Sequence, residues 1–302
     1  VYGEIMALVS VFAFGLSYLF VNRAQADGET CDNGLLPTLI ISTTALWIMS
    51  IIGFVTVPTA FRLSAGWQRP LLYFILAGIS WNYLSRMALL ASISKIGATR
   101  GLVVKSIAPM LTVALAVVLF KERLDIGDQV GFLLMLASIG LLVVEQKRMT
   151  HRSWFQSITT KGILLGIAAA LFQSLGHLLR KVGADAISPL LGATIDMTAA
   201  TLTYILYLAW TGRLRPHIDF YLRHTSRAIL IASLCAAIGV ATSFASIAAA
   251  SISTVAMILG MQPVIMPILS SVFFPGFERF TWISYLATAF VSLGVLSIMM
   301  WR

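Results

Sequence analysis

Charge is what this sequence has least of. Lysine, arginine, aspartate and glutamate make up only 11% of its 302 residues, against roughly a quarter in an ordinary soluble domain. A water-soluble surface cannot be built from so few, and a soluble globular protein is excluded. Acidic residues are the scarcer sign, 12 against 21 basic ones. The basic excess forms no tract interleaved with aromatics, so nucleic acid is excluded as a partner. Two cysteines, Cys31 and Cys235, allow neither a disulfide framework nor a thiolate metal cluster. HExxH, a phosphate-binding loop, a Ser-His-Asp set and paired carboxylates are all missing. The reading is therefore of a non-enzyme, with no catalytic residue, no metal ligand and no cofactor. The connections between apolar runs are short, which leaves no room for a soluble domain.

What is present is hydrocarbon, 59% of the chain. A helix needs about 20 apolar residues to cross a ~30 Å core at ~1.5 Å per residue. Ten runs meet that length: 3–21, 37–57, 70–90, 99–120, 126–144, 162–179, 189–210, 228–249, 252–273 and 282–301. Backbone polar groups must be satisfied inside lipid, and the alternation of a barrel is absent, so the spans are helices. Trp67, Trp154, Trp210, Trp282 and Trp301 flank span ends as interfacial anchors do.

The longest connection, EQKRMTHRSWFQSITTKG, follows the fifth span and divides the chain into residues 1–145, a basic connection 146–161, and residues 162–302. The halves end alike. LASISKIGATRGLVVKSIAPMLTVALAVVLFKERL closes the fourth span, and SIAAASISTVAMILGMQPVIMPILSSVFFPGFERF occupies the same place in the second half. Setting Pro109 on Pro263 brings Glu122-Arg123 and Glu278-Arg279 into near register, and ASIGLLVV and VSLGVLSI follow. Five spans is an odd number, so two like halves enter the membrane in opposite senses. The expected fold is an all-α polytopic membrane protein, ten transmembrane helices as two inverted five-helix repeats, with a ligand site at the repeat interface.

Small residues, a proline within a span, LFKERL and a glycine-bearing last helix resemble the EamA-type repeat of the drug/metabolite transporter superfamily. The resemblance covers the chain twice, with PGFER standing where the first copy has KER. It implies a ten-helix carrier working by alternating access on a small-molecule substrate, surrounded by membrane lipids, as a monomer or a homodimer. It also implies cytoplasmic termini in a cell (inner) membrane. The loop charges argue the opposite. On the face that bears the loop between spans three and four, here face A, basic residues outnumber those on the other, face B, and the positive-inside rule puts face A in the cytoplasm.

Polar residues inside the spans are the site candidates. Lys105 and Arg86 each lie roughly 9 Å from face A by helical rise, on adjacent spans. Asn82 shares a face with Arg86, and Gly101, Lys105, Pro109 and Thr112 share another. A buried cation costs about 2.5–3.5 kcal/mol on insertion scales. Snorkelling toward headgroups is the bland alternative. The favoured reading is an anionic substrate, or the carboxylate or phosphate end of a larger metabolite, held by Arg86, Lys105 and Asn82, with Gln173 and Gln262 lining the same cavity. His177 and Asp196 match in depth, and a contact between them would serve either as a proton-coupling pair or as a structural hydrogen bond. Pro109 and Pro263 each remove a backbone hydrogen bond near the midplane and are candidate conformational residues or static kinks. A lipid-headgroup flippase, a drug or amino-acid exporter of the same fold, an intramembrane enzyme and a structural membrane protein are the alternatives.

Overall fold

The computed structural model describes residues 2–56, 66–96, 104–105, 107–149, 160–184, 187–224, 226–262, 265, 269, 272–273 and 282–300. Among these the chain is helical, with no strand. The first half holds α1 (Tyr2–Ala26), α2 (Leu35–Thr56), α3 (Gln68–Ala77) running through a π-helical segment (Gly78–Ser85) into α4 (Arg86–Ile96), then α5 (Ala108–Phe120) and α6 (Ile126–Met149). The second half holds α7 (Thr160–Gly183), α8 (Pro189–Trp210), a short α9 (Leu214–Arg223), α10 (Arg227–Ala249), α11 (Ile252–Leu259) and α12 (Trp282–Met300). Five of them, in α1, α2, α7, α8 and α10, are individually long and apolar enough to cross a membrane.

The packing has the twofold character expected of two related halves. Helix α1 lies on α10, and its counterpart α7 lies on α3, the π segment and α4. Helix α2 lies on α10 as α8 lies on α3 and the π segment, and α1 meets α11 as α7 meets α5. Three further contacts, α2 on α8, α5 on α11 and α6 on α12, map onto themselves when the halves are exchanged. Apart from α9, which lies on α8, each of these helices packs chiefly against the other half.

Between lipid-soluble helices there is no hydrophobic driving force, so close approach and interhelical hydrogen bonds do the holding. Serine hydroxyls donate across to backbone carbonyls: Ser10 to Gly239, Ser85 to Ala169 and Ser92 to Gly162, at 2.7–2.8 Å. Thr43 meets Thr201 and Ser50 meets Thr194, which fixes α2 antiparallel to α8. Glycine lets backbones touch. A methyl on Gly78 would overlap the Asp196 carbonyl oxygen, and one on Gly176 would come within 2.7 Å of the Trp81 Cβ.

The repeated KER has a structural task in its first copy. Glu122 accepts from the Ile252 and Ser253 amides at 3.0 and 3.1 Å and from the Ser253 hydroxyl at 2.6 Å, capping the start of α11 with a carboxylate. The corresponding Glu278 lies outside the described residues.

Two expectations change. Pro109 falls in the first turn of α5, where a missing N–H is harmless, instead of inside a continuous helix. Pro263 lies outside the described residues. Between the seventh and eighth spans stands α9, a separate helix that Pro216 and its alternating polarity concealed in the sequence.

Candidate functional site

Helix α4 continues to Ile96, past the end expected from hydropathy, because ASISKI remains helical although it is no longer apolar. Arg86 is therefore roughly 15 Å from that helix end by rise, not 9, and lies one turn from Asn82. The midplane cluster is larger than the sequence implied.

Its centre is Arg180. This side chain is fully buried, and its Nε and Nη2 donate to the two Asp196 carboxylate oxygens at 2.8 Å each. Asn82 Nδ2 donates to the same carboxylate at 2.6 Å. The guanidinium lies 3.6 Å from the Trp81 ring centroid and 4.6 Å from that of Phe244. A bidentate pair clad in aromatic faces is the arrangement that makes a buried arginine tolerable. Both Asn82 and Trp81 come from the π segment, whose wider turns present residues off the α-helical register.

Asp196 thus pairs with Arg180 and Asn82, and the expected His177–Asp196 contact is not formed. The reason is spacing. Arg180 stands one turn beyond His177 on the same face of α7, and its long side chain reaches the carboxylate first. His177 packs its ring on Trp81 with centroids 4.6 Å apart. In the sequence, Arg180 adjoins Lys181 and resembles an ordinary basic flank at a span end. Lys181 does behave as a terminal residue: its ammonium donates to the Ile247 and Ala250 carbonyls at 3.1 and 3.0 Å, capping the end of α10.

Lys105 and Arg86 meet around Tyr18 of α1. The Lys105 ammonium is 5.8 Å from the Tyr18 ring centroid. The Tyr18 hydroxyl feels both cations and has Arg86 as its hydrogen-bonding neighbour. Lys105 is buried and Arg86 half-buried. Among the described residues, neither has a carboxylate in ion-pair range. The electrostatic reach of Lys105 extends to His177 and that of Arg86 to Arg180, so these residues form one neighbourhood.

Three buried polar atoms without a partner lie on a single stripe of α7: Gln173 Oε1, His177 Nδ1 and Arg180 Nη1. Gln262 is half-buried just past Gly260, where a Cβ would press on the Pro109 ring. Among the described residues no group of acidic, histidine or cysteine side chains could hold a metal.

Long apolar helices in two interlocked halves, with charge buried between them, define a polytopic membrane protein. The chain belongs to the EamA-like transporter family, whose model matches residues 1–144 and again 160–300. One repeat therefore corresponds to each half, within the drug/metabolite transporter superfamily. A protein of known crystal structure shares the fold at a TM-score of 0.71 and 16% identity, over 99% of this chain and 97% of its own. Comparison with curated proteins found no match.

Proposed function

We propose that this protein is a secondary transporter that moves a small anionic metabolite by alternating access, binding its carboxylate or phosphate between the two repeats at Lys105 and Arg86. The carrying observation is an imbalance of charge. Among the described residues, Arg180 has Asp196, while Lys105 and Arg86 meet at the Tyr18 ring and hydroxyl with no carboxylate in ion-pair range. An unpaired buried charge is costly, and an arriving anion supplies what the protein does not. Arginine would grip the acid through parallel hydrogen bonds and lysine would act as a point charge.

Asn82, engaged by Asp196, serves this site by holding the carboxylate in place instead of touching the anion. Gln173, His177 and the free edge of Arg180 offer polar partners for the remainder of the ligand. The engaged Asp196 leaves His177 as the candidate for any proton coupling.

The test is a thermal-shift screen of the purified protein with carboxylates, phosphate esters and neutral analogues, followed by counterflow in proteoliposomes. Anions are expected to stabilise in proportion to binding, about 2.7 kcal/mol at a hundredfold excess over Kd, and stabilising anions are expected to exchange across the bilayer. Stabilisation only by neutral or cationic compounds would refute the reading. Exchange of phospholipid headgroup isomers between leaflets, without flux of soluble anions, would assign the fold to a flippase.

A further inference from the structure

Helix α9 joins the end of α8 to the start of α10, two helices that meet face A, so it is held at headgroup level. None of its residues is buried. Leu214, Ile218 and Leu222 recur every fourth position; Leu214 packs on the protein core, while Ile218 and Leu222 continue the apolar edge outward, and Leu222 is 76% exposed. Trp210, at the end of α8, is 88% exposed beside it. Protein covers only one side of the helix. There Tyr221 donates to the Asp32 carboxylate and accepts from the Cys31 amide, which fixes how the helix is rotated.

The charges on this segment are of nearly one sign. Arg213, Arg215, Arg223 and Arg227 face a single acid, Asp219. None of the four arginines forms an ion pair among the described residues. On a helical wheel Arg215 borders the leucine edge, while Asp219 and Arg223 turn to the opposite side. An apolar edge at the depth of the acyl boundary, with unpaired guanidinium groups above it, is complementary to a leaflet of negatively charged phospholipid.

We infer that α9 lies in the membrane plane as a binding site for anionic phospholipid headgroups of the face-A leaflet, with Ile218 and Leu222 in the acyl boundary and Arg215 and Arg223 on the phosphates. Guanidinium suits this task because it meets phosphate oxygens through paired donors. The attraction is electrostatic and falls with salt.

The experiment uses the whole protein in nanodiscs of phosphatidylcholine with and without phosphatidylglycerol, reading by mass spectrometry which lipid is retained on extraction. Wild type is expected to retain phosphatidylglycerol preferentially. Arg215→Gln with Arg223→Gln should cut that preference by about fivefold per arginine, while Arg69→Gln on the opposite face should leave it unchanged. Undiminished preference in the double variant would overturn the inference. A second measurement does not depend on those variants folding well. Spin labels at positions 218 and 219, with Cys31 and Cys235 replaced by serine, should relax with oxygen at 218 and with a water-soluble nickel chelate at 219. Water exposure at both positions would also overturn it, and would point instead to an acidic protein partner.

Discussion

Arg180 and Asp196 stand sixteen residues apart on successive helices and are joined by two hydrogen bonds of 2.8 Å, with both side chains fully buried. The pair ties α7 to α8, and through Asn82 it ties both to the π segment of the other half. Removing one partner leaves an uncompensated charge in the bilayer core. Arg180→Met or Asp196→Leu alone is therefore expected to destabilise by about 3–5 kcal/mol. The double substitution should recover much of that loss, because no charge then remains unpaired. Thermal unfolding in detergent checks this, and additive losses in the double variant would show that the two residues act separately.

The π segment depends on close approach at Gly78, whose Cα faces the Asp196 backbone. Gly78→Ala should push α8 away, lengthen the Asn82–Asp196 bond and destabilise by about 1–3 kcal/mol, the range for overpacking. The small-residue change Ser80→Ala, by contrast, removes only one hydrogen bond to the Phe172 carbonyl and should cost about 0.5–1.5 kcal/mol. Equal stability of Gly78→Ala and wild type would mean that the two helices are free to separate there.

Much of this architecture was legible in the sequence. Apolar length gave the spans, and the paired prolines with the repeated Glu-Arg exposed the duplication. Polar residues stand out against hydrocarbon, which is why Arg86, Lys105, His177 and Asp196 could be singled out as candidates. Arg180 was missed because, beside Lys181, it looks like an ordinary basic flank. Its spacing of three from His177 was the available signal that it shares the inward stripe. The π segment could not be read, since it is set by what Gly78 and Asn82 meet on α8, not by local propensity. Helix α9 was hidden because ten residues with a proline and five ionisable side chains resemble a loop.

Glu122 offers a test of the repeated motif. Its carboxylate satisfies two free amides at the start of α11 and one hydroxyl. Glu122→Ala should cost about 0.5–2 kcal/mol, the range for losing a helix cap. Amide hydrogen exchange should quicken in residues 252–254, with α1 and α10 unaffected. Unchanged exchange there would show that water caps the helix equally well.

Tyr221 supplies the pH dependence of the surface helix. Its half-burial, and then the Asp32 carboxylate it bonds, push its phenol above the usual tyrosine range. In the unfolded chain the phenol releases its proton near 10. A group whose folded pKa is raised contributes stability that is complete below the unfolded value and lost as pH rises above it. The tether is therefore expected to weaken on alkaline titration above about pH 10. Tyr221→Phe should abolish this component and leave 214–223 exchanging fast at every pH. A variant with the wild-type alkaline profile would exclude Tyr221 as its source.

Lys105 and Arg86 carry the proposed function, and substituting each separates binding from folding. Lys105 is buried near Tyr18 with no carboxylate in ion-pair range among the described residues. Replacing it by methionine removes a desolvated charge while keeping most of the volume. Lys105→Met is expected to fold and insert as well as wild type, or better, since a cation at that depth costs about 2.5–3.5 kcal/mol to insert. The same change should remove one charge-assisted contact to the anion, about 1.5–3 kcal/mol, or roughly ten- to a hundredfold in affinity. Arg86→Lys tests geometry, since it keeps the charge and loses the parallel donors. Its anion affinity should fall between wild type and Arg86→Met. Thermal stability without ligand and the ligand-induced shift are read in the same experiment, so a folding defect and a binding defect appear as different numbers. Full anion stabilisation in Lys105→Met, at wild-type basal stability, would mean that the lysine head is served by lipid or water and that the anion binds elsewhere.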